Sequence, residues 1–147
     1  MIDDILKRPV TDMDLRKPVC VPALTTIREA AALLQEHAQG VVFVVEKTGA
    51  LTGVFTERDL LNRVDESGTS DLDRPISEFM NMSLRTAKAG ATIADVIREM
   101  DRGGCRHLPM VDSDRKPTAV VSIRDILSHL VEEFPQAFIN LPPDPRH

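Results

Sequence analysis

The chain contains no tryptophan and no tyrosine, and aromatic residues make up only 3% of its 147 residues. Proteins that stack nucleic-acid bases on aromatic side chains are therefore a disfavoured class, and the net charge of −5 points the same way. No apolar run approaches the roughly 20 residues that cross a bilayer, and the first residues carry acids where a signal peptide carries basic groups. The composition predicts a cytoplasmic protein with neither a membrane nor a nucleic-acid partner.

Catalytic and metal-binding patterns are also missing. The two cysteines, Cys20 and Cys105, lie far apart without a Cys-x-x-Cys spacing, so we expect small buried thiols. The sequence offers no Ser/His/Asp or Cys/His set, no glycine-rich phosphate loop and no metal-ligand spacing. We therefore predict no catalytic residues, no metal and no enzymatic activity.

The chain does contain an internal duplication. Residues 6–64 align with residues 72–130 without a gap, at an offset of 66. The identical pairs include Arg8-Pro9 with Arg74-Pro75, Thr26-Ile27 with Thr92-Ile93, and Arg58-Asp59 with Arg124-Asp125. The alignment predicts a first repeat over residues 1–66, a linker over 67–74, a second repeat over 75–132 and a tail over 133–147.

Each repeat shows the same order of predicted elements. A short first strand (18–21 or 84–87) precedes a helix that Thr26 or Thr92 caps, with apolar positions at Ile27, Ala31 and Leu34 or at Ile93, Ile97 and Met100. Two apolar strands and a second helix follow, with the strands at 41–45 and 51–55 or at 108–111 and 118–121. The predicted fold is α/β: two β-α-β-β-α repeats packed sheet to sheet about a pseudo-two-fold axis, because one repeat alone buries too little surface.

The strand-to-helix junction that closes each repeat is the candidate functional element. It reads Thr56-Glu57-Arg58-Asp59 in the first repeat and Ser122-Ile123-Arg124-Asp125 in the second. A hydroxyl residue three positions before a carboxylate forms a capping box at a helix start. The free amides of a helix start also attract phosphate, to which arginine adds a second anion-binding group.

A tandem β-α-β-β-α repeat whose copies both end in small-apolar-apolar-Thr/Ser-x-x-Asp resembles the cystathionine-β-synthase (CBS) domain pair, or Bateman module. Residues 105–112 of the second repeat are similar to the family's second strand, which carries a basic group before Pro-Val-Val-Asp. The resemblance implies a non-catalytic regulatory sensor that binds an adenosine compound (AMP, ADP, ATP or S-adenosylmethionine) between the repeats. It also implies a homodimer, with a protein target that the sequence does not name.

The resemblance assigns roles to individual residues. Asp59 and Asp125 match the family's ribose-binding aspartate, whereas Thr56 and Ser122 match the hydroxyl that meets phosphate. The further expected nucleotide-binding residues are Arg58, Arg124, Arg106, His107 and Leu108. Adenine would then lie between aliphatic side chains, which suits a chain without tryptophan or tyrosine.

Alternatives exist for these residues and for the function. Thr/Ser-x-x-Asp is also a plain helix cap, the junction arginines also suit surface ion pairs, and His107 also suits a core edge. The first repeat has Gly40 where the second has Arg106, so we expect unequal sites. The alternative function is a ligand-independent dimerisation scaffold. For either function we expect a homodimer through helix faces, with residues 134–141 helping to cover the partner. The proline-rich tail is either a disordered end or an extended arm on a partner, and we expect disorder beyond Pro142.

Overall fold

Helices and strands follow one another in the order that the duplication predicts. The computed structural model describes residues 2–138; the expectation for the chain beyond Pro142 falls outside the described residues. The helices are α1 (Ile2–Leu6), α2 (Ile27–His37), α3 (Glu57–Ser67), α4 (Ile93–Gly103), α5 (Ile123–Glu133) and α6 (Pro135–Phe138). The strands are β1 (Cys20–Pro22), β2 (Val41–Val45), β3 (Leu51–Thr56), β4 (His107–Val111) and β5 (Pro117–Ser122), and 3₁₀ turns cover Val10–Asp12 and Ile76–Glu78. None of the helices found between residues 2 and 138 is long and apolar enough to cross a membrane.

The duplication is confirmed in the positions of these elements. Helices α2 and α4, and likewise α3 and α5, begin and end at positions 66 residues apart. The threonine caps are also confirmed, because the hydroxyl oxygens of Thr26 and Thr92 accept from the amides of Glu29 and Asp95. Ala30 and Val96 are fully buried, whereas the expected core positions Ala31 and Ile97 are only half-buried.

The two sheets differ in one strand. In the first repeat β1 pairs parallel with β2, which pairs antiparallel with β3, whereas the second sheet contains only β4 and β5. The strand expected at 84–87 is reduced to a single bridge between Ala87 and Met110. Proline explains the difference, because the amide of Phe43 donates to Val19 at 2.8 Å and Pro109, which takes the place of Phe43, has no amide hydrogen.

Strand β2 is buried on both faces, as predicted for a central strand. Its Val42 and Val44 side chains pack in the core of the first repeat, under α2. Its Val41 and Phe43 side chains point the other way and pack against Val111 and Val120 of the second sheet. The contact between the two sheets therefore joins the repeats.

The first residues of each repeat pack on the other repeat, which we call the exchange of N-terminal segments. Ile5, Val10 and Met13 lie in the core of the second repeat, and the carbonyl of Arg8 accepts from the amide of Ile93 at 3.1 Å. Ile76 reciprocally lies in the core of the first repeat. There the carbonyl of Arg74 accepts from the amide of Ile27 at 3.0 Å. Each core therefore includes residues from the N-terminal segment of the other repeat.

The cysteine expectation needs a correction. Cys20 is exposed because it lies on the outward face of β1, while the next residue, Val21, is buried; Cys105 is half-buried. Burial raises the pKa of the Cys105 thiol, so a smaller fraction of it is thiolate at neutral pH.

The exchanged segments predict where stability resides. Ile76→Ala removes a side chain that is 0% exposed in the first-repeat core, so it should lower the free energy of unfolding by about 2–5 kcal/mol. Leu24→Ala, at a side chain that is 80% exposed, is the control and should change it by no more than about 0.5 kcal/mol. Urea unfolding measures both, and equal effects would contradict the exchange.

Candidate functional site

The two strand-to-helix junctions have the same local structure. In the second repeat the Ser122 hydroxyl accepts from the Asp125 amide at 3.0 Å, and the Asp125 carboxylate accepts from the Ser122 amide at 3.3 Å. In the first repeat the matching distances for Thr56 and Asp59 are 3.2 and 2.9 Å. Both capping boxes are confirmed, so capping alone does not distinguish the two junctions.

A cavity of about 480 Å³ lies beside the second junction. Both repeats contribute to its wall, and the exchange brings the N-terminal segment of the first repeat, with Arg16, onto the second. The lining residues are Arg16, Ala38, Gln39, Gly40, Glu57, Arg106, His107, Val120, Ser122, Ile123, Arg124 and Asp125.

The predicted site residues divide into two groups. The cavity wall brings together Arg106, His107, Ser122, Arg124 and Asp125. Leu108 is instead 0% exposed in the core of the second repeat. The first-repeat residues Thr56, Arg58 and Asp59 line neither this cavity nor the smaller one described below.

Asp125 has a partner that sequence reasoning missed. A guanidinium nitrogen of Arg16, Nη2, lies 3.5 Å from Asp125 Oδ1. The side chains of Arg16 and Asp125 are 54% and 16% exposed, so the carboxylate is the more enclosed group. The main chain of Arg16 is held in place, because its carbonyl accepts from the Val120 amide at 3.0 Å. No local motif marks Arg16; its role depends on the exchange of segments.

His107 is the half-buried titratable group of the cavity, directly opposite Ser122 in the β4–β5 ladder. Burial lowers the pKa of the His107 imidazole, which disfavours the charged form at pH 7. Nearby carboxylates of Glu57 and Asp125 oppose this shift, while Arg16 and Arg106 add to it. In the free protein His107 is therefore a neutral hydrogen-bonding group rather than a fixed cation.

Glu57 is the second residue that sequence reasoning missed. It limits the space at Gly40, which is the first-repeat position equivalent to Arg106. A Cβ placed on Gly40 would lie 3.3 Å from Glu57 Oε1 and 3.3 Å from His107 Cε1. Gly40 also has a φ of +70°, which side chains rarely adopt. The cavity therefore contains carboxylates as well as the guanidinium groups of Arg16, Arg106 and Arg124.

A second cavity of about 260 Å³ lies on the other side of His107, which lines both. Its wall contains Val54, Asn81, Ser83, Leu84, Arg85, Arg102, Gly103, Cys105 and Pro109. The two cavities thus differ in volume and in lining, although the repeats share a fold. Within residues 2–138, no group of three or more His, Cys, Asp and Glu side chains could hold a metal ion.

Comparison with known proteins gives consistent matches. The CBS domain family matches residues 10–66 and 76–132. A 17.7 kDa protein of Acidianus ambivalens is 30% identical over 123 residues, which span 84% of this chain and 73% of that protein. The structure of a CBS domain protein from Pyrobaculum aerophilum complexed with AMP is 27% identical, with a TM-score of 0.74 over 85% of this chain and 99% of that one. The CBS domain pair of protein MJ0100, in complex with 5-methylthioadenosine and S-adenosylmethionine, shares the fold at a TM-score of 0.78 and 23% identity, over 86% of this chain and 98% of that one.

Proposed function

The chain belongs to the CBS domain family, and on that basis we propose that it is a non-catalytic regulatory module that binds an adenosine compound beside the second junction. The observation that carries the proposal is the cavity of about 480 Å³, whose wall combines the Ser122–Asp125 junction with Arg106 and His107. A volume of this size is in the range of small-molecule sites, at roughly 300–1,000 Å³.

The chemistry of the wall suits a ribose and a phosphate. A carboxylate such as that of Asp125 accepts hydrogen bonds from both ribose hydroxyls at once. The Ser122 hydroxyl and the first amides of α5 would meet the phosphate, with Arg106 and Arg124 supplying positive charge. Thr56, Arg58 and Asp59 would form a weaker site, because Gly40 gives the first repeat no basic side chain.

Among the adenosine compounds we propose AMP as the ligand to test first. The similar protein of Pyrobaculum aerophilum was solved with AMP. The carboxylate of Glu57 in the cavity wall would repel the additional phosphates of ADP or ATP. S-adenosylmethionine is the further candidate, because the wall carries groups of both signs.

A ligand-independent dimerisation scaffold is the second candidate function. Its support is the exposed apolar surface of the closing helices, where Leu61 of α3 is 66% exposed and Leu127 of α5 is 56% exposed. We propose that the chain forms a homodimer through these helix faces. Dimerisation is compatible with ligand binding. The two candidate functions are therefore distinguished by whether the chain binds an adenosine compound, and the scaffold function requires that it binds none.

The ribose assignment predicts unequal effects of two matched substitutions. Asp125→Ala removes the charged acceptor and should weaken AMP binding about ten- to a hundredfold. Asp59→Ala should weaken it less, because Asp59 does not line the cavity. Each variant also loses a capping box, which should cost about 1 kcal/mol of stability in both. Calorimetric titration with AMP, beside urea unfolding, separates binding from folding.

Two results would contradict this assignment. If both variants fold and bind AMP as the parent does, Asp125 does not hold the ribose. If the parent shows neither heat nor a thermal shift with millimolar AMP, ATP or S-adenosylmethionine, the scaffold is the better description.

The dimer proposal is tested by sedimentation at micromolar concentration. The parent should sediment at twice the chain mass of 16.3 kDa. Leu127→Asp should shift it towards monomer, because the charge would be buried without a partner. Leu24→Asp is the control, since Leu24 is exposed outside α3 and α5. A clean monomer of the parent contradicts the proposal.

A further inference from the structure

The ion pair between Arg16 and Asp125 joins the cavity wall to the exchanged N-terminal segment. We propose that Arg16 makes the second-repeat site selective for adenosine ligands that carry a 5′-phosphate over the uncharged nucleoside. This inference rests on the proposed function and names a specificity-determining residue for it.

Both oxygens of the Asp125 carboxylate already have partners. Oδ2 accepts from the Ser122 amide at 3.3 Å in the capping box, and Oδ1 lies 3.5 Å from Arg16. Each carboxylate oxygen has a second lone pair, so a ribose that binds Asp125 shares the carboxylate with Arg16 and leaves the helix cap intact. The guanidinium therefore lies beside the bound ligand, with further N–H groups available.

The Arg16 guanidinium can reach groups on the ligand other than the ribose. The Arg16 main chain is fixed by the bond from the Val120 amide, while its side chain is 54% exposed and has room to turn. A phosphate on the ligand gives it a new anionic partner, with the bidentate geometry that guanidinium favours. An uncharged nucleoside offers the guanidinium no such partner, in a wall that also holds Arg106 and Arg124.

The first repeat provides an internal comparison. Met82 stands 66 residues after Arg16, is 70% exposed, and has no charge to offer. Asp59 accordingly forms an ion pair with none of the residues from 2 to 138, although its capping box is intact. The same helix start thus occurs once with an arginine partner for its aspartate and once without. Arg16→Met therefore gives the second junction the uncharged residue that the first junction has at the equivalent position.

The experiment measures the affinity of the full chain for AMP and for adenosine by calorimetry, in the parent and in Arg16→Met. The parent should prefer AMP. In Arg16→Met the ratio of the two affinities should fall about tenfold, the low end for a charged hydrogen bond because Arg16 is half exposed. AMP binding should weaken, while adenosine binding should stay the same or become tighter.

Lys17→Met is the matched control, since it removes one positive charge from the adjacent position outside the cavity wall. It should leave the ratio unchanged. If Arg16→Met also keeps the parent ratio, or weakens both ligands equally, the selectivity role of Arg16 is refuted while the binding function stands. If the parent binds neither AMP nor adenosine, the proposed function fails and this inference with it.

Discussion

The exchange of N-terminal segments between the repeats is the constraint on which the rest of the structure depends. Ile76 is buried in the first core and Val10 in the second, so each half needs the N-terminal segment of the other. The exchange also carries Arg16 across to Asp125, because the Arg16 carbonyl and the Val120 amide are bonded. Core packing and the composition of the cavity wall therefore share one cause.

Local patterns were sufficient to predict much of the fold. The capping boxes at Thr56 and Ser122 and the two hairpins follow from residues close together in the chain, and the repeat offset follows from comparing the chain with itself. The lost second-repeat strand depends on Pro109, whose missing amide hydrogen matters only once its neighbour across the sheet is known. Arg16 and Glu57 were missed for the same reason, since their positions depend on non-local packing.

The two junctions show that a shared motif does not make a shared site. Both helices start with the same capping box, yet Ser122 and Asp125 line the larger cavity, whereas Thr56 and Asp59 do not. The equivalent positions around the two boxes differ in charge: Arg16 against Met82, Arg106 against Gly40, and Ile123 against Glu57. Substitutions around the motif, rather than in it, therefore separate the two repeats.

The central claim is that the second repeat provides the stronger ligand site, and the stoichiometry of tight binding tests it most directly. Calorimetric titration of AMP into the 147-residue chain, at protein concentrations well above the dissociation constant of the stronger site, measures this number. We predict one tightly bound AMP per chain, with the first-repeat site filling only at higher AMP concentration. Two AMP per chain with a single affinity would contradict it, because the repeats would then be equivalent sites, and so would the absence of binding.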